Sequence, residues 1–142
     1  STDNNFFLTG VQMEVGPVAT EFEQEDVGVT LAKCQRYFQK FGGQTTNDTI
    51  AAGFTNTSTF FGRGSLIKTM RAAPTGALVG TNAHLNFTHT AVAANANTAP
   101  TITTNTDTFY IQVASGSTTT NLAGAYMRLI NTGSFISFDA EL

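Results

Sequence analysis

The stretch Phe109-Tyr110-Ile111-Gln112-Val113-Ala114 alternates large apolar side chains with other residues, a pattern typical of a strand with one buried face. Ser115-Gly116-Ser117 supplies a turn at its end. Strand-like stretches follow at 123–130 and 135–142, and the turn residues Asn131-Thr132-Gly133-Ser134 join them. Short strands separated by Gly, Asn, Ser and Thr residues predict a sandwich or a barrel.

The chain before this stretch carries further strand patterns. Alternation from Val11 to Val15 predicts a strand over 6–15, and Gly16-Pro17 terminates it. We also expect strands at 65–70, 77–80 and 85–92, a turn at 62–64, and a small-residue loop at 93–101. Residues 50–54 form a short apolar stretch, and residues 56–61 mix turn residues with a strand signal. The predicted fold is mainly β, an antiparallel, jelly-roll-like β-sandwich with one short N-terminal α-helix.

The helix is predicted over Leu31-Ala32-Lys33-Cys34-Gln35-Arg36-Tyr37-Phe38-Gln39-Lys40. Asp26 is the expected N-cap, because its carboxylate can accept hydrogen bonds from the first turn, and Gly42-Gly43 is the expected stop. An apolar stripe recurs at spacings of three and four and consists of Val27, Leu31, Cys34, Phe38 and Phe41. We expect Leu31, Cys34, Phe38 and Phe41 of this stripe to pack on the sheet of their own subunit, with Cys34 as a small buried side chain.

The acidic segment before the helix divides the chain in two. Residues 1–25 are predicted to be an N-terminal strand, arm and linker, and residues 26–142 a C-terminal β-sandwich module. The first residues lack the basic and apolar regions of a signal peptide. Since the chain also begins without Met, we expect a processed chain or a fragment.

Composition limits the classes of function. The chain has 142 residues, enough for one domain, and only 12% of them are charged. A net charge of −3 disfavours nucleic-acid binding, because nothing neutralises a phosphate backbone. No window contains the roughly 18 apolar residues of a membrane span, so membrane insertion is not expected. One cysteine excludes an internal disulfide.

No residue pattern predicts catalysis, a cofactor or a metal. His84 and His89 are five apart, and an odd spacing along a strand places them on opposite faces, which disfavours a shared zinc ion. The stretch 62–65 lacks a full Gly-x-Ser-x-Gly elbow. A solvated acidic run, rather than an acid–base pair, is expected for the crowded carboxylates Glu14, Glu21, Glu23, Glu25 and Asp26. The chain is therefore predicted not to be an enzyme.

Aromatic side chains on polar strands are the candidates for sugar contact. Tyr37, Tyr110 and Tyr126 can serve as stacking platforms, or they can belong to the core. Both interpretations stay open from the sequence, so no ligand-binding residue is predicted.

Three stretches resemble one family, the virion proteins of tailed phages and prophages. Leu8-Thr9-Gly10-Val11-Gln12-Met13-Glu14-Val15-Gly16-Pro17-Val18-Ala19-Thr20-Glu21-Phe22-Glu23 is similar to the "TGVQLEVG…ATPFE" strand that closes an upstream jelly-roll module, with departures at Met13 and Glu21. The stretch 31–40 is similar to the "L-x-x-C-Q-R-Y-[FY]" helix that opens the next module. Met70-Arg71-Ala72-Ala73-Pro74-Thr75 is similar to the "MRAAPT" strand end that follows.

The resemblance implies a distal module of a tail fibre, tail spike or capsid fibre, located in the virion on the tail fibre or capsid surface. Such modules are usually homotrimers, and we expect sheet residues to meet near the threefold axis. The implied partners are other copies of the chain, other virion proteins through the N-terminal arm, and a host-surface glycan or protein. The resemblance implies no catalytic or ligand-binding residue on this chain.

The favoured function is that of a phage virion structural protein that adheres to a host receptor, with a glycan as the expected receptor. Three weak contacts held at fixed spacing would gain avidity through effective concentration. One alternative is a capsid fibre or decoration protein with a purely structural role. Another is a non-catalytic module of a polysaccharide depolymerase.

Overall fold

The computed structural model describes residues 10–18, 20–22, 24–89, 92–115 and 123–141. Its elements in chain order are α1 (Val27–Cys34), β1 (Phe38–Phe41), β2 (Asp48–Asn56), β3 (Thr59–Ser65), β4 (Thr75–Val79), a 3-10 helix (Asn82–His84), β5 (Leu85–His89), β6 (Val92–Asn95), β7 (Thr101–Thr104), β8 (Thr108–Ala114), β9 (Ala123–Leu129) and β10 (Phe135–Asp139). Parts of the sequence predictions, at 6–9, 23, 90–91, 116–117 and 142, lie outside the described residues.

The strands form two antiparallel sheets. β1, β10 and β4 make a three-stranded sheet in that order, and seven strands make the other in the order β6-β5-β9-β2-β3-β8-β7. The predicted class, a mainly β antiparallel sandwich with one short helix, is confirmed. The strands predicted at 109–114, 123–130 and 135–142 are confirmed as β8, β9 and β10, with small differences at their ends.

The core lies between the two sheets. Phe109 of β8 and Phe138 of β10 meet there with ring centroids 4.7 Å apart. Phe41 of β1 packs edge-on against both rings, at 5.7 and 5.5 Å. Other fully buried side chains are Phe60, Leu85, Phe87, Ile111, Met127, Leu129 and Ile136. Each such burial contributes about 1.5–3 kcal/mol, so these side chains hold the two sheets together.

The helix is shorter than predicted. α1 begins after the predicted N-cap Asp26, whose side chain accepts from Gly28 N at 2.8 Å. It ends at Cys34, and Phe38–Phe41, predicted as helix, is strand β1. Residues of β1 pair with β10, almost 100 residues later in the chain, with Gln39 opposite Phe138. The prediction of helix from 35 to 40 is therefore wrong, and Gly42-Gly43 ends a strand rather than a helix.

The predicted apolar stripe does not pack on the sheet. No residue of α1 is buried, and Val27 is 80% exposed. Cys34 is exposed, so its predicted burial is wrong. Of the five stripe residues only Phe41 packs against the core. The stripe crosses the boundary between helix and strand, so its members do not share one face.

The predicted turn at 62–64 lies inside β3. Gly62 and Gly64 are needed there because a Cβ atom would lie 2.3 Å from Phe60 Cε1 and 2.2 Å from Phe109 Cζ, respectively. These two glycines make room for core rings instead of reversing the chain.

Two other strand predictions and one loop prediction need correction. Residues 10–15 form no strand. Residues 66–70 form a loop whose apolar side chains Leu66 and Met70 are buried. The predicted loop at 93–101 contains most of β6 and the first residue of β7. Ala and Asn residues are weak strand signals, and here pairing with β5 and β8 determines the structure.

The loop 66–70 is fastened to β1 by Gln39, which is only 2% exposed. Its Oε1 accepts from Ile67 N at 2.7 Å, and its Nε2 donates to Lys68 O at 2.6 Å and to Gln35 O at 3.0 Å. A buried polar side chain thus has partners at both ends, and it positions the loop against the strand.

Arg71 makes a second link between the same regions. Its backbone N–H donates to Arg36 O at 2.9 Å, and its guanidinium lies 5.3 Å from the centre of the Tyr37 ring. The stretches 31–40 and 70–75 are therefore in direct contact.

Candidate functional site

The outer face of the seven-stranded sheet carries aromatic and polar side chains. Strand residues alternate between faces, so the outward residues follow from the register. One row across the strands contains Thr101, Gln112, Phe61, Phe54 and Gly124, and the next contains Thr103, Tyr110, Arg63, Ala52, Tyr126 and Thr88. We call the surface formed by Phe54, Phe61, Tyr110 and Tyr126 the aromatic face.

Phe54 and Phe61 form the centre of the aromatic face. They are cross-strand partners in β2 and β3, and their rings stack with centroids 5.3 Å apart at an angle of 21°. Phe54 is 45% exposed. Gly124 follows in the same row, and a Cβ atom there would meet nothing within 4 Å. The stacked pair therefore borders an open stretch of sheet surface.

Tyr110 and Tyr126 flank this stack in the neighbouring row. Arg63 lies beside Tyr110, and Ala52 separates it from Tyr126. Three strand-to-strand steps place the two tyrosine Cα atoms about 14 Å apart. Tyr126 is 41% exposed and Tyr110 is half-buried. An elongated ligand that crosses the strands can therefore contact both rings.

Arg128 extends the face along β9. Its Nε donates to Asn86 Oδ1 at 3.1 Å, and its Cζ lies 6.0 Å from the Tyr126 ring centre. Asn86 Oδ1 also accepts from Thr88 Oγ1 at 2.9 Å, while Asn86 Nδ2 donates to Asn95 Oδ1 at 2.8 Å. Because Asn86 is buried and bonded on both atoms, this network fixes the orientation of the guanidinium.

The chemistry of this face suits a hydroxyl-rich ring ligand. The aromatic rings offer flat apolar surface for C–H groups, and Gln112 and the threonines offer hydrogen-bonding groups beside it. A recess of about 90 Å³ opens between Arg63, Thr103, Asn105 and Tyr110. The two rows contain the cation Arg63 and no carboxylate, and Arg128 stands beside them, so negative charge on the ligand is favoured.

Two of the three aromatic residues named as sugar platforms lie on this face. Tyr110 and Tyr126 occupy one row, whereas Tyr37 lies apart beside Arg71. Phe54 and Phe61 were not predicted, because phenylalanine in a strand ordinarily belongs to the core. The signal in the sequence was the pair Phe60-Phe61, since adjacent strand residues point to opposite faces.

The two histidines lie in different elements. His84 belongs to the 3-10 helix, and its Nδ1 is 2.6 Å from Oγ of Ser134, which is buried. His89 is the last residue of β5. The prediction treated both as residues of one strand, which is wrong for His84. Within the described part of the chain, no group of three His, Cys, Asp or Glu residues could hold a metal ion.

The described carboxylates of the acidic connector are exposed. Hydrogen bonds from Thr20, including one from Oγ1 at 2.7 Å, lower the pKa of Glu14. Hydrogen bonds from Lys33 and then Thr30 lower the pKa of Glu25. Glu14 and Glu25 are thus ionised surface groups, and neither has the raised pKa of a general acid.

Comparison with known proteins identifies no relative. No family model matches the chain, and no curated protein and no solved structure matches it. No helix in the described residues is long and apolar enough to cross a membrane.

Proposed function

We propose that this chain is a non-catalytic adhesion module of a phage virion protein and that its aromatic face binds a host-surface glycan. The observation that carries the proposal is the stacked, half-exposed Phe54–Phe61 pair, which lies on the same sheet surface as Tyr110 and Tyr126. Exposed aromatic rings in a row are costly in water unless a ligand or partner covers them.

The class of ligand follows from the groups around the rings. Arg63 lies within the row and Arg128 stands beside Tyr126, held by Asn86. Guanidinium groups bind carboxylates in a planar, two-bonded geometry. We therefore propose an oligosaccharide that contains acidic sugars. The location in a tail fibre or capsid fibre is supported by the resemblance of 31–40 and 70–75 to phage virion proteins.

A glycan array with the purified chain tests this proposal. Binding should concentrate on acidic oligosaccharides, and titration calorimetry should then show about two- to tenfold weaker binding for Phe54→Ala and for Tyr126→Ala, since a ring contact contributes about 0.5–1.5 kcal/mol. Phe38→Ala is the matched control, because Phe38 is 47% exposed but belongs to the three-stranded sheet. Equal losses for Phe38→Ala and Phe54→Ala would contradict a site on the aromatic face.

A purely structural role in the virion is the second candidate. It is favoured by the exposure of apolar side chains in α1 and in the segment before it, which suggests contact with another chain. Binding to susceptible host cells supports adhesion, whereas binding to naked capsids alone, with no array signal, supports the structural role.

A further inference from the structure

The helix α1 lacks the contacts that normally stabilise so short a helix. It has eight residues, Val-Gly-Val-Thr-Leu-Ala-Lys-Cys, and none of them is buried. Glycine and β-branched residues are poor helix formers, and helices of this length are marginal without tertiary packing. Val27, Val29 and Leu31 are nevertheless exposed at 80, 47 and 55%. A partner that covers α1 would supply the missing burial.

The segment before α1 is also apolar and uncovered. Val11, Met13, Val15 and Val18 are each at least two-thirds exposed, and Phe22 is 51% exposed. So many exposed apolar side chains in one segment are typical of a surface that binds another molecule. We call residues 10–25 the arm.

A groove beside α1 carries positive charge, whereas the charged residues of the arm are acidic. It has a volume of about 370 Å³ and is lined by Val29, Ala32, Lys33, Arg36, Lys68 and Thr69. The aliphatic side chains form its apolar part, and three cations border it. Within the described residues the one ion pair is that of Lys33 with Glu25, and Arg36 and Lys68 take no part in it.

Acidic residues are concentrated at the start of the chain, and all basic residues follow later. Residues 1–26 hold six of the ten acidic residues and none of the seven basic ones. The rest of the chain therefore carries a net positive charge, and three of its seven cations line the groove. An apolar, acidic arm and an apolar, basic groove match in both respects.

We propose that copies of this chain associate by exchange of arms, with the arm of one copy docked in the Lys33–Arg36–Lys68 groove and on the exposed face of α1 of the next copy. A contact between two different surfaces closes into a ring when the rotation between copies permits it. This inference does not depend on glycan binding, because the aromatic face contributes no residue to the groove.

The arm is long enough for such an exchange. Sixteen extended residues span about 50 Å, whereas a small domain is about 30 Å across. Among the described arm residues, Glu25 contacts the groove of its own chain through its ion pair with Lys33, but no arm residue lines that groove and Met13 is 99% exposed. A neighbouring copy is therefore within reach.

Sedimentation velocity with single substitutions provides the first test. The unmodified chain should form species at a multiple of 15.1 kDa, and Lys68→Glu should weaken their association at least tenfold. Lys40→Glu is the charge-matched control, because Lys40 is an exposed lysine that lies over Phe135 on the three-stranded sheet, and it should leave association unchanged. A chain that stays monomeric at 100 μM, or equal effects of the two substitutions, would overturn the proposal.

A mixing experiment distinguishes exchange between copies from docking within one copy. The variant Arg36→Glu/Lys68→Glu has an acidic groove, and Glu21→Lys/Glu23→Lys has a more basic arm, so each should be monomeric alone. When they are mixed, arm and groove are again complementary, and native mass spectrometry should show complexes that contain both variants. Failure of the mixture to associate, with both variants folded by circular dichroism, would refute arm exchange.

Discussion

The side chain of Gln39 accepts a hydrogen bond from the backbone N–H of Ile67 at 2.7 Å, although the two residues are 28 positions apart. Through the same amide group, Gln39 also donates to Lys68 O and Gln35 O. The buried side chain of Gln39 thus connects the C-cap of α1, strand β1 and the loop 66–70 into one unit. The integrity of the surface around α1 depends on this unit.

Replacement of Gln39 by Ala should therefore destabilise the fold strongly. The change leaves Ile67 N–H and two carbonyl groups without their partner, and we expect a loss of roughly 3 kcal/mol in the free energy of unfolding. Urea denaturation measures this loss. Gln44→Ala is the control, since Gln44 is exposed in the next loop. A change below about 1 kcal/mol for Gln39→Ala, or equal changes for both variants, would show that the hydrogen bonds of the Gln39 side chain contribute little to stability.

The same residue explains why the helix was predicted too long. In the sequence, Gln39 and Lys40 read as the polar side of a helix whose apolar side includes Phe38 and Phe41. Burial of Gln39 depends on backbone groups at 67–68, and the strand conformation depends on pairing with β10. Neither partner is visible in a local pattern, so the N-cap Asp26 and the helical residues 31–34 could be predicted, but the end of the helix could not.

Strands with strict alternation were predictable because burial repeats every second residue. In β8 the buried residues Phe109, Ile111 and Val113 alternate with outward ones, and the sequence shows this directly. Alternation within single strands predicts only part of the aromatic face. Alternation shows that Tyr110 and Phe109 point to opposite sides, but only the register brings Phe54 next to Phe61.

Substitution by Ala should lower stability strongly at one of two glycines in paired strands and hardly at all at the other. A Cβ atom at Gly53 would lie 1.9 Å from the backbone oxygen of Phe61, which cannot move without breaking the ladder between β2 and β3. We expect Gly53→Ala to cost at least about 2 kcal/mol. Gly124→Ala meets open space and should change stability by less than about 0.5 kcal/mol. Thermal unfolding of both variants measures the contrast, and similar melting temperatures would contradict the close approach at Gly53.

The loop before β2 should lose stability in acid through Asp48. Hydrogen bonds from Thr45 Oγ1 at 2.5 Å, from Thr45 N and from Gln44 N lower the pKa of Asp48 below the usual range of an aspartate. Because the pKa is lower in the folded chain than in the unfolded chain, the stability that the Asp48 carboxylate contributes is complete above the unfolded-state pKa. It is lost as the pH falls through the lowered folded-state pKa.

Comparison of the unmodified chain with Asp48→Asn isolates this contribution, because both chains share all other carboxylates. The difference in melting temperature should be constant above about pH 5 and should shrink from about pH 4 downwards. A difference that persists unchanged to pH 2 would show that ionisation of Asp48 does not stabilise the loop.

Asn86 should act on the proposed glycan site through Arg128. Asn86 is buried and accepts the Nε–H of Arg128, so Asn86→Ala frees the guanidinium without removal of its charge. We expect several-fold weaker binding of acidic oligosaccharides, whereas binding of a neutral oligosaccharide to the Phe54–Phe61 pair should change little. The double variant Asn86→Ala/Arg128→Ala should bind no more weakly than Arg128→Ala, because the two residues act as one unit. Additive losses, or equal losses for neutral and acidic ligands, would show that Asn86 merely stabilises the sheet.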